Sequence, residues 1–306
     1  MLMLLALAVP VAVLGFAIDS ASDDDDDNSV EEIGTEGADS LEGGTDDDFI
    51  DGQAGDDVLH GRAGNDTIFG REGDDVLQGE DGDDMLCAGD GDDFVTGNTG
   101  QDFIEGQGGD DFVSGDYGWD TVLGNEGNDT VLGGRGGDVI QGNEGDDVVF
   151  GGIINGLPLS LDELTELRDG ESLAEINDGI EMRDDSLGNT LRGGTDEDDL
   201  IIGSGDWAHG GLGADTFHVM SEQNMGGIPN IADYRSNEDA ITVIVDDVNA
   251  DADITVTTDG EDALIQMGDM VLARVTGAAE SLEAEDVSLI SENAVEAMFE
   301  PNSAAA

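Results

Sequence analysis

The sequence predicts an all-β fold: a parallel β-roll with a short helical insertion and a C-terminal β-strand cap. Three observations predict it. Twelve nine-residue repeats run without a gap from Gly43 to Phe150. Every copy carries Asp at its sixth place and an aliphatic residue at its eighth. Glycine holds the first place in all copies but one, where Ala88 stands, and the fourth in all but one, where Asp46 stands. Gly61-Arg-Ala-Gly-Asn-Asp-Thr-Ile-Phe69 and Gly124-Asn-Glu-Gly-Asn-Asp-Thr-Val-Leu132 are clear examples. A fixed short period is the mark of a repeat architecture. Nine residues are too few for a helical hairpin and suit one tight turn followed by one short strand. An acidic, Gly-rich linker would share the composition, but it would not hold an aliphatic residue in one phase through twelve copies.

Within a repeat, the glycines at places one and four free the backbone for positive φ, so the turn can curl its carbonyl oxygens inward. The acid at place six adds carboxylate oxygens to that ring. Such a set contains no thiol or imidazole and favours calcium over softer metals. In the strand, places seven and nine face one way and place eight the other. The eighth-place residues Ile50, Leu59, Ile68, Leu77, Leu86, Val95, Ile104, Val113, Val122, Val131, Ile140 and Val149 therefore form a continuous buried stack. Two repeats make one coil of eighteen residues with turns on opposite edges, which sorts the acids into two columns. Asp48, Asp66, Asp84, Asp102, Asp120 and Asp138 line one edge; Asp57, Asp75, Asp93, Asp111, Asp129 and Asp147 line the other. Coils stacked about 4.8 Å apart let an ion touch acids eighteen residues apart, and the gaps hold roughly ten ions.

The register resembles the RTX, or haemolysin-type calcium-binding, nonapeptide repeat Gly-Gly-x-Gly-x-Asp-x-U-x, with U a large aliphatic. The resemblance covers about a third of the chain. It implies a right-handed parallel β-roll that is disordered without calcium, in a bacterial protein exported to the cell exterior. The second place departs from the pattern: Gln53, Arg62, Arg71, Glu80, Asn98, Gln107, Asp116, Asn125 and Asn143 replace Gly. A positive φ there would suit Asn and Asp and strain Arg and Gln.

Charge points the same way. Eight arginines and no lysine face 75 acids, for a formal net charge of −67. That excludes nucleic acid and anionic surfaces as partners and opposes collapse unless divalent cations neutralise the turns. The expectation is a chain disordered below micromolar calcium that folds at extracellular levels, where calcium modules bind at about 10⁻⁴–10⁻³ M. Cys87 is the only cysteine, so no internal disulfide forms.

Residues 1–18 are uncharged and apolar and read as a signal or membrane anchor that leaves the rest of the chain outside. Residues 19–42 read as an acidic linker and 43–152 as the roll. In the insertion, 153–186, Ser160-Leu-Asp-Glu163 is a capping box opening a helix with Leu161, Leu164 and Leu167 on one side and Gly170 as its stop. A degenerate second block spans 187–219. There Gly193-Gly-Thr-Asp-Glu-Asp-Asp-Leu-Ile201 echoes the opening copy with one residue inserted, and Gly210-Gly-Leu-Gly-Ala-Asp-Thr-Phe-His218 fits the pattern with Asp215 at place six. This copy stands apart from the array, with no partner copy eighteen residues away, so a calcium site at Asp215 lacks the stacked neighbour that the array supplies. Residues 220–292 carry strand-like runs such as Ile241–Val245, Ile254–Thr257, Ala263–Gln266 and Val271–Val275, with turns at Asp259-Gly260 and Gly268-Asp269. They would cap the solenoid end. Residues 293–306 read as a disordered tail.

No zinc-protease or nucleophile-elbow motif occurs. His60, His209 and His218 lack metal-spaced partners. The acids serve calcium and cannot be read as acid/base pairs, so no enzyme activity is expected. Outward seventh places, among them Phe49, Val58, Val76, Met85, Phe94, Phe103 and Phe112, form a stripe too apolar for a solvated face. The insertion helix or the C-terminal strands should cover it; left bare, it would mark a partner surface. The sequence also leaves open an accessory role beside a toxin or hydrolase, or a calcium-dependent adhesin or carbohydrate-binding module, with Trp119 and Trp207 as candidate stacking rings.

Overall fold

A computed structural model of the chain describes residues 29–154, 157, 159–168, 182–221, 226–245 and 253–299. The expected anchor at 1–18 lies outside them. Among the described residues, no helix is long and apolar enough to cross a membrane.

Each repeat splits as its residue types dictate. Places seven to nine and the next repeat's places one to three form a strand, as in Phe49–Ala54, Val58–Ala63 and Thr67–Glu72, and places four to six form the turn. Successive strands go to opposite sheets. Among the described residues the first sheet has 13 strands and the second 11. Within each sheet, neighbours in the array are parallel and shifted by one coil, with Phe49 beside Thr67 and Ile50 beside Ile68. Every eighth-place residue from Ile50 to Val149 is 0 % exposed, so one aliphatic seam between the two sheets is the core. At about 25 cal/mol per Å² this seam is the main apolar contribution, with one or two modest side chains per strand.

The roll starts earlier than Gly43. Glu31–Ile33 and Ser40–Glu42 already pair with the first strands of the two sheets. Gly34-Thr-Glu-Gly-Ala-Asp39-Ser-Leu41-Glu is a further full copy in the same phase, with Leu41 packed against the core, so residues 34–42 are roll and not linker.

The insertion is looped out of a continuous solenoid. Val139–Glu144 pairs in parallel with Thr190–Thr195, and Val148–Phe150 with Asp199–Ile202. The second block thus stacks on the first with a step of 51 residues in place of eighteen. No residue is inserted in its first copy. Leu200 stands beside Val149 in the seam, which places Asp198 in the sixth position. The cap also continues the roll. Ala240–Val245 lies parallel to Thr216–Met220 and to Val287–Ser291, and Asn230–Ile231 joins Trp207–Gly211 to Met270–Val275. Ile254–Asp259, Asp262–Met267 and Met270–Val275 close the first sheet as antiparallel hairpins, with positive φ at Gly260 and Gly268 in the two turns.

The apolar stripe divides between the sheets. Outward residues of the second sheet, Val76, Phe94, Phe112, Leu132 and Phe150, are covered. Part of the cover is helix α1, Leu161–Arg168, capped by Ser160 as expected: the Ser160 N–H donates to Glu163 Oε2 at 2.8 Å and the Glu163 N–H to Ser160 Oγ at 3.4 Å. It buries Leu164 and Leu167; its expected stop at Gly170 lies outside the described residues. The rest comes from the C-terminal end. Helix α2, Glu292–Glu296, and the 3₁₀ turn Ala297–Phe299 bury Val295 and Phe299, whose ring centroid is 6.0 Å from that of Phe150. Residues 293–299 are therefore ordered cover, contrary to the expected disordered tail. Among the described residues the first sheet keeps part of its stripe open: Met85, Phe103 and Trp207 are 40 %, 37 % and 47 % exposed.

Candidate metal centre

The turns stack so that each sixth-place side chain ties two coils together. Its Oδ1 accepts the backbone N–H of the sixth-place residue one coil earlier. In the first column the N–H groups of Asp48, Asp66, Asp84, Asp102 and Asp120 donate to the next acid at 2.8 to 3.0 Å. The chain continues across the insertion from Asp138 to Asn189 at 2.8 Å and from Asn189 to Asp206 at 2.9 Å. In the second column the bonds run from Asp39 through Asp57, Asp75, Asp93, Asp111 and Asp129 to Asp147 at 2.7 to 2.9 Å. They go on to Asp198, Asp215 and Asp239 at 3.1, 3.3 and 3.4 Å. Asp215 thus has coil neighbours at steps of 17 and 24 residues, where the sequence showed no repeat copy at eighteen.

The other carboxylate oxygen points at nothing that can donate. Oδ2 of Asp57, Asp66, Asp75, Asp84, Asp93, Asp102, Asp111, Asp120, Asp129, Asp138, Asp147 and Asp198 is buried without a hydrogen-bond partner. Asp48 differs: its Oδ2 accepts the Gly44 N–H. A buried unpaired carboxylate is costly. Burial first, and neighbouring carboxylates after it, push Asp93 up to about 9, Asp102, Asp147 and Asp198 to about 8, and Asp111 to about 10. The same causes raise Asp75, Asp84 and Asp120 to about 7, Asp129 to about 7 and Asp138 to about 6, where burial dominates.

Glycine at place one keeps space beside that oxygen. A Cβ on Gly52 would lie 2.3 Å from Asp57 Oδ2 and 3.0 Å from the Gly70 carbonyl oxygen of the next coil; on Gly106 it would lie 2.2 Å from Asp111 Oδ2 and 2.9 Å from the Gly124 carbonyl oxygen. A carboxylate and a carbonyl oxygen thus converge on a cradle that any side chain would fill. No group of three or more His, Cys, Asp or Glu side chains converges among the described residues, so a bound ion completes its shell from backbone carbonyls and water. All-oxygen ligands with carbonyls in the set fit calcium. Calcium there would neutralise the sixth-place carboxylates and link adjacent coils.

Place two takes the left-handed conformation the turn demands. Its φ is positive at all nine substituted copies, from 69° at Asn98 to 95° at Arg71. Asn and Asp accept this readily, whereas Gln, Glu and Arg carry strain of about 1–2 kcal/mol each. A second ladder runs along the exposed fifth places in the opposite sense. Asp92 N–H donates to Asp74 Oδ1 at 3.1 Å and Asp110 N–H to Asp92 Oδ1 at 2.9 Å.

Sequence reasoning missed Asp39, at place six of a copy in phase with the array, and Asp198, at place six of the Gly193 copy. It also missed Asn189, Asp206 and Asp239, which only the stacking reveals. The histidines hold local partners: His60 Nε2 lies 2.9 Å from Glu80. The Trp207 indole N–H donates to His209 at 2.7 Å. His218 sits between Thr242 Oγ1 at 2.6 Å and Asp199 Oδ1 at 2.9 Å. Cys87 is buried, and burial followed by the nearby Glu105 pushes its thiol up to about 12.

The model of the RTX calcium-binding nonapeptide repeat matches four stretches, 33–68, 61–95, 96–131 and 123–153. Residues 33–153 are an RTX array. Its calcium-binding repeats are built here as a parallel β-solenoid, and the first matched residue falls just before the early copy at Gly34. No curated protein matches the chain. Among solved structures, the extracellular lipase LipA from Serratia marcescens is similar at 16 % identity with a TM-score of 0.23; the match covers 89 % of this chain and 41 % of the lipase.

Proposed function

We propose that this chain is a calcium-binding RTX protein of the bacterial cell exterior, whose roll folds when calcium fills the two acid columns, and that it has no enzymatic activity of its own. The observation that carries the reading is the row of buried Oδ2 atoms without hydrogen-bond partners. Stacking them uncompensated opposes the burial of the aliphatic seam, and cations in the gaps remove that opposition. About ten ions fill the uninterrupted repeats, one per gap. Sites of extracellular affinity stay empty at cytosolic calcium and fill outside the cell, so the repeats of the array would remain unfolded until export. Circular dichroism and small-angle scattering during a calcium titration test this. The expected result is strand signal and compaction that arise together on adding calcium; full strand signal in chelator at pH 7 refutes it.

The open part of the first sheet's stripe supports a second reading, in which the calcium-loaded roll presents Met85, Phe103 and Trp207 to a protein or glycan partner. A glycan screen in millimolar calcium, repeated with Trp207→Ala, tests it; binding that survives the substitution refutes this use of the face.

A further inference from the structure

From Asp57 to Asp198, every sixth-place acid of the second column has an Oδ2 that no donor reaches. Asp215 breaks the series. It is fully buried, and its Oδ2 lies 3.3 Å from Arg235 Nη2. The same nitrogen is 2.8 Å from the Gly213 carbonyl oxygen and 3.2 Å from Asp239 Oδ1. Gly213 is the fourth-place residue of that repeat. Asp239 takes the sixth-place role in the following turn, since its Oδ1 accepts the Asp215 N–H and Ala240 after it starts the next strand. The oxygens around the guanidinium are thus a carboxylate and a carbonyl from one turn and a carboxylate from the next. The two carboxylates are the counterparts of those that meet at earlier gaps of the column, where the carbonyl oxygen comes instead from a first-place residue of the next coil.

We propose that the guanidinium of Arg235 is the resident cation of the last inter-turn gap in the second column, so that this gap takes no calcium ion. The inference rests on the calcium reading of the other gaps. Arginine suits the position because it stays charged at any working pH and its planar fork donates to several oxygens at once. Its placement is secured locally. The Arg235 N–H donates to Asp239 Oδ2 at 2.6 Å, the Asp239 N–H returns to the Arg235 carbonyl oxygen at 2.8 Å, and Nη1 reaches Glu238 Oε2 at 3.1 Å. The side chain is only 30 % exposed. A tethered cation has no dissociation equilibrium, so this end of the roll closes without metal while the gaps before it wait for calcium.

The test counts calcium ions per full-length chain, by equilibrium dialysis and atomic emission, in the natural protein and in Arg235→Ala and Arg235→Gln. Each variant is expected to bind one ion more at saturating calcium. Hydrogen exchange supplies a second readout: Ala240–Val245 should lose protection in chelator and regain it in calcium in both variants, while the natural chain keeps it in both conditions. An unchanged ion count overturns the proposal. So does a segment that stays unprotected at saturating calcium, because the arginine is then scaffold that an ion cannot replace. A natural chain that binds no calcium overturns the reading of the other gaps as well, and the natural protein alone reveals that outcome.

Discussion

Replacing Asp111 by Asn should stabilise the roll strongly in chelator and keep only part of that gain in calcium, where one bound ion is lost. Asp111 lies in the middle of the second column, 3 % exposed, with a carboxyl pushed from 3.8 up to about 10 by burial and by Asp93 and Asp129. An acid whose pKa is raised on folding costs nothing below about pH 4 and costs progressively more as pH rises toward the folded value. At pH 7, keeping the proton on a group of ordinary pKa 3.8 costs about 4 kcal/mol without metal. The amide removes that cost while its Oδ1 still accepts the Asp93 N–H, now bonded at 2.8 Å. Asn189 already plays this part in the first column, accepting from Asp138 and donating to the Gly151 carbonyl oxygen at 2.8 Å. In calcium the variant forfeits a ligand, and an ion held at a hundred times its Kd is worth about 2.7 kcal/mol. The assay is strand ellipticity followed against pH in chelator and against calcium at pH 7. In chelator, the pH at which structure is lost should rise; at pH 7, the variant should fold at lower calcium than the natural chain while its ion count falls by one. A variant that shifts both midpoints in the direction of lower stability, or neither, refutes the reasoning.

Gly124→Ala would set a Cβ 2.1 Å from Asp129 Oδ2; because this glycine is not among the positive-φ residues, the loss should be one bound ion, and a full count would show that the cradle holds none. Gln107→Gly relieves a side chain held at φ 87°; the gain should be up to about 1 kcal/mol after the added freedom of the unfolded chain, seen as a higher Tm in calcium. Phe299→Ala empties a fully buried site against Phe150 and should cost about 3–5 kcal/mol in calcium-loaded protein without changing the number of ions bound.

Much of the array was legible because its information is local in phase. An acid at place six and an aliphatic at place eight recur at a fixed spacing, and a period of nine residues with two strands per coil leaves one way to stack them. That same rule, applied one copy earlier and to Gly193–Ile201 without an inserted residue, yields Asp39 and Asp198. The columns and the seam are therefore properties of the sequence. What stacks on what beyond Phe150 is not. The step of 51 residues from Asp138 to Asn189 carries no periodic signal, since a looped-out insertion costs only a slowly growing closure entropy. Nor does strand alternation say which outward face will be covered. Helix α1 and the C-terminal turn fold over the second sheet because its Phe94, Phe112 and Phe150 meet their leucines and Phe299, while the first sheet stays partly open. Arg235 completes the contrast. Twenty residues from Asp215 and in phase with nothing, it reaches the end of an acid column only because the tertiary turn carries it there, and Coulomb attraction in a buried, oxygen-lined gap then holds it.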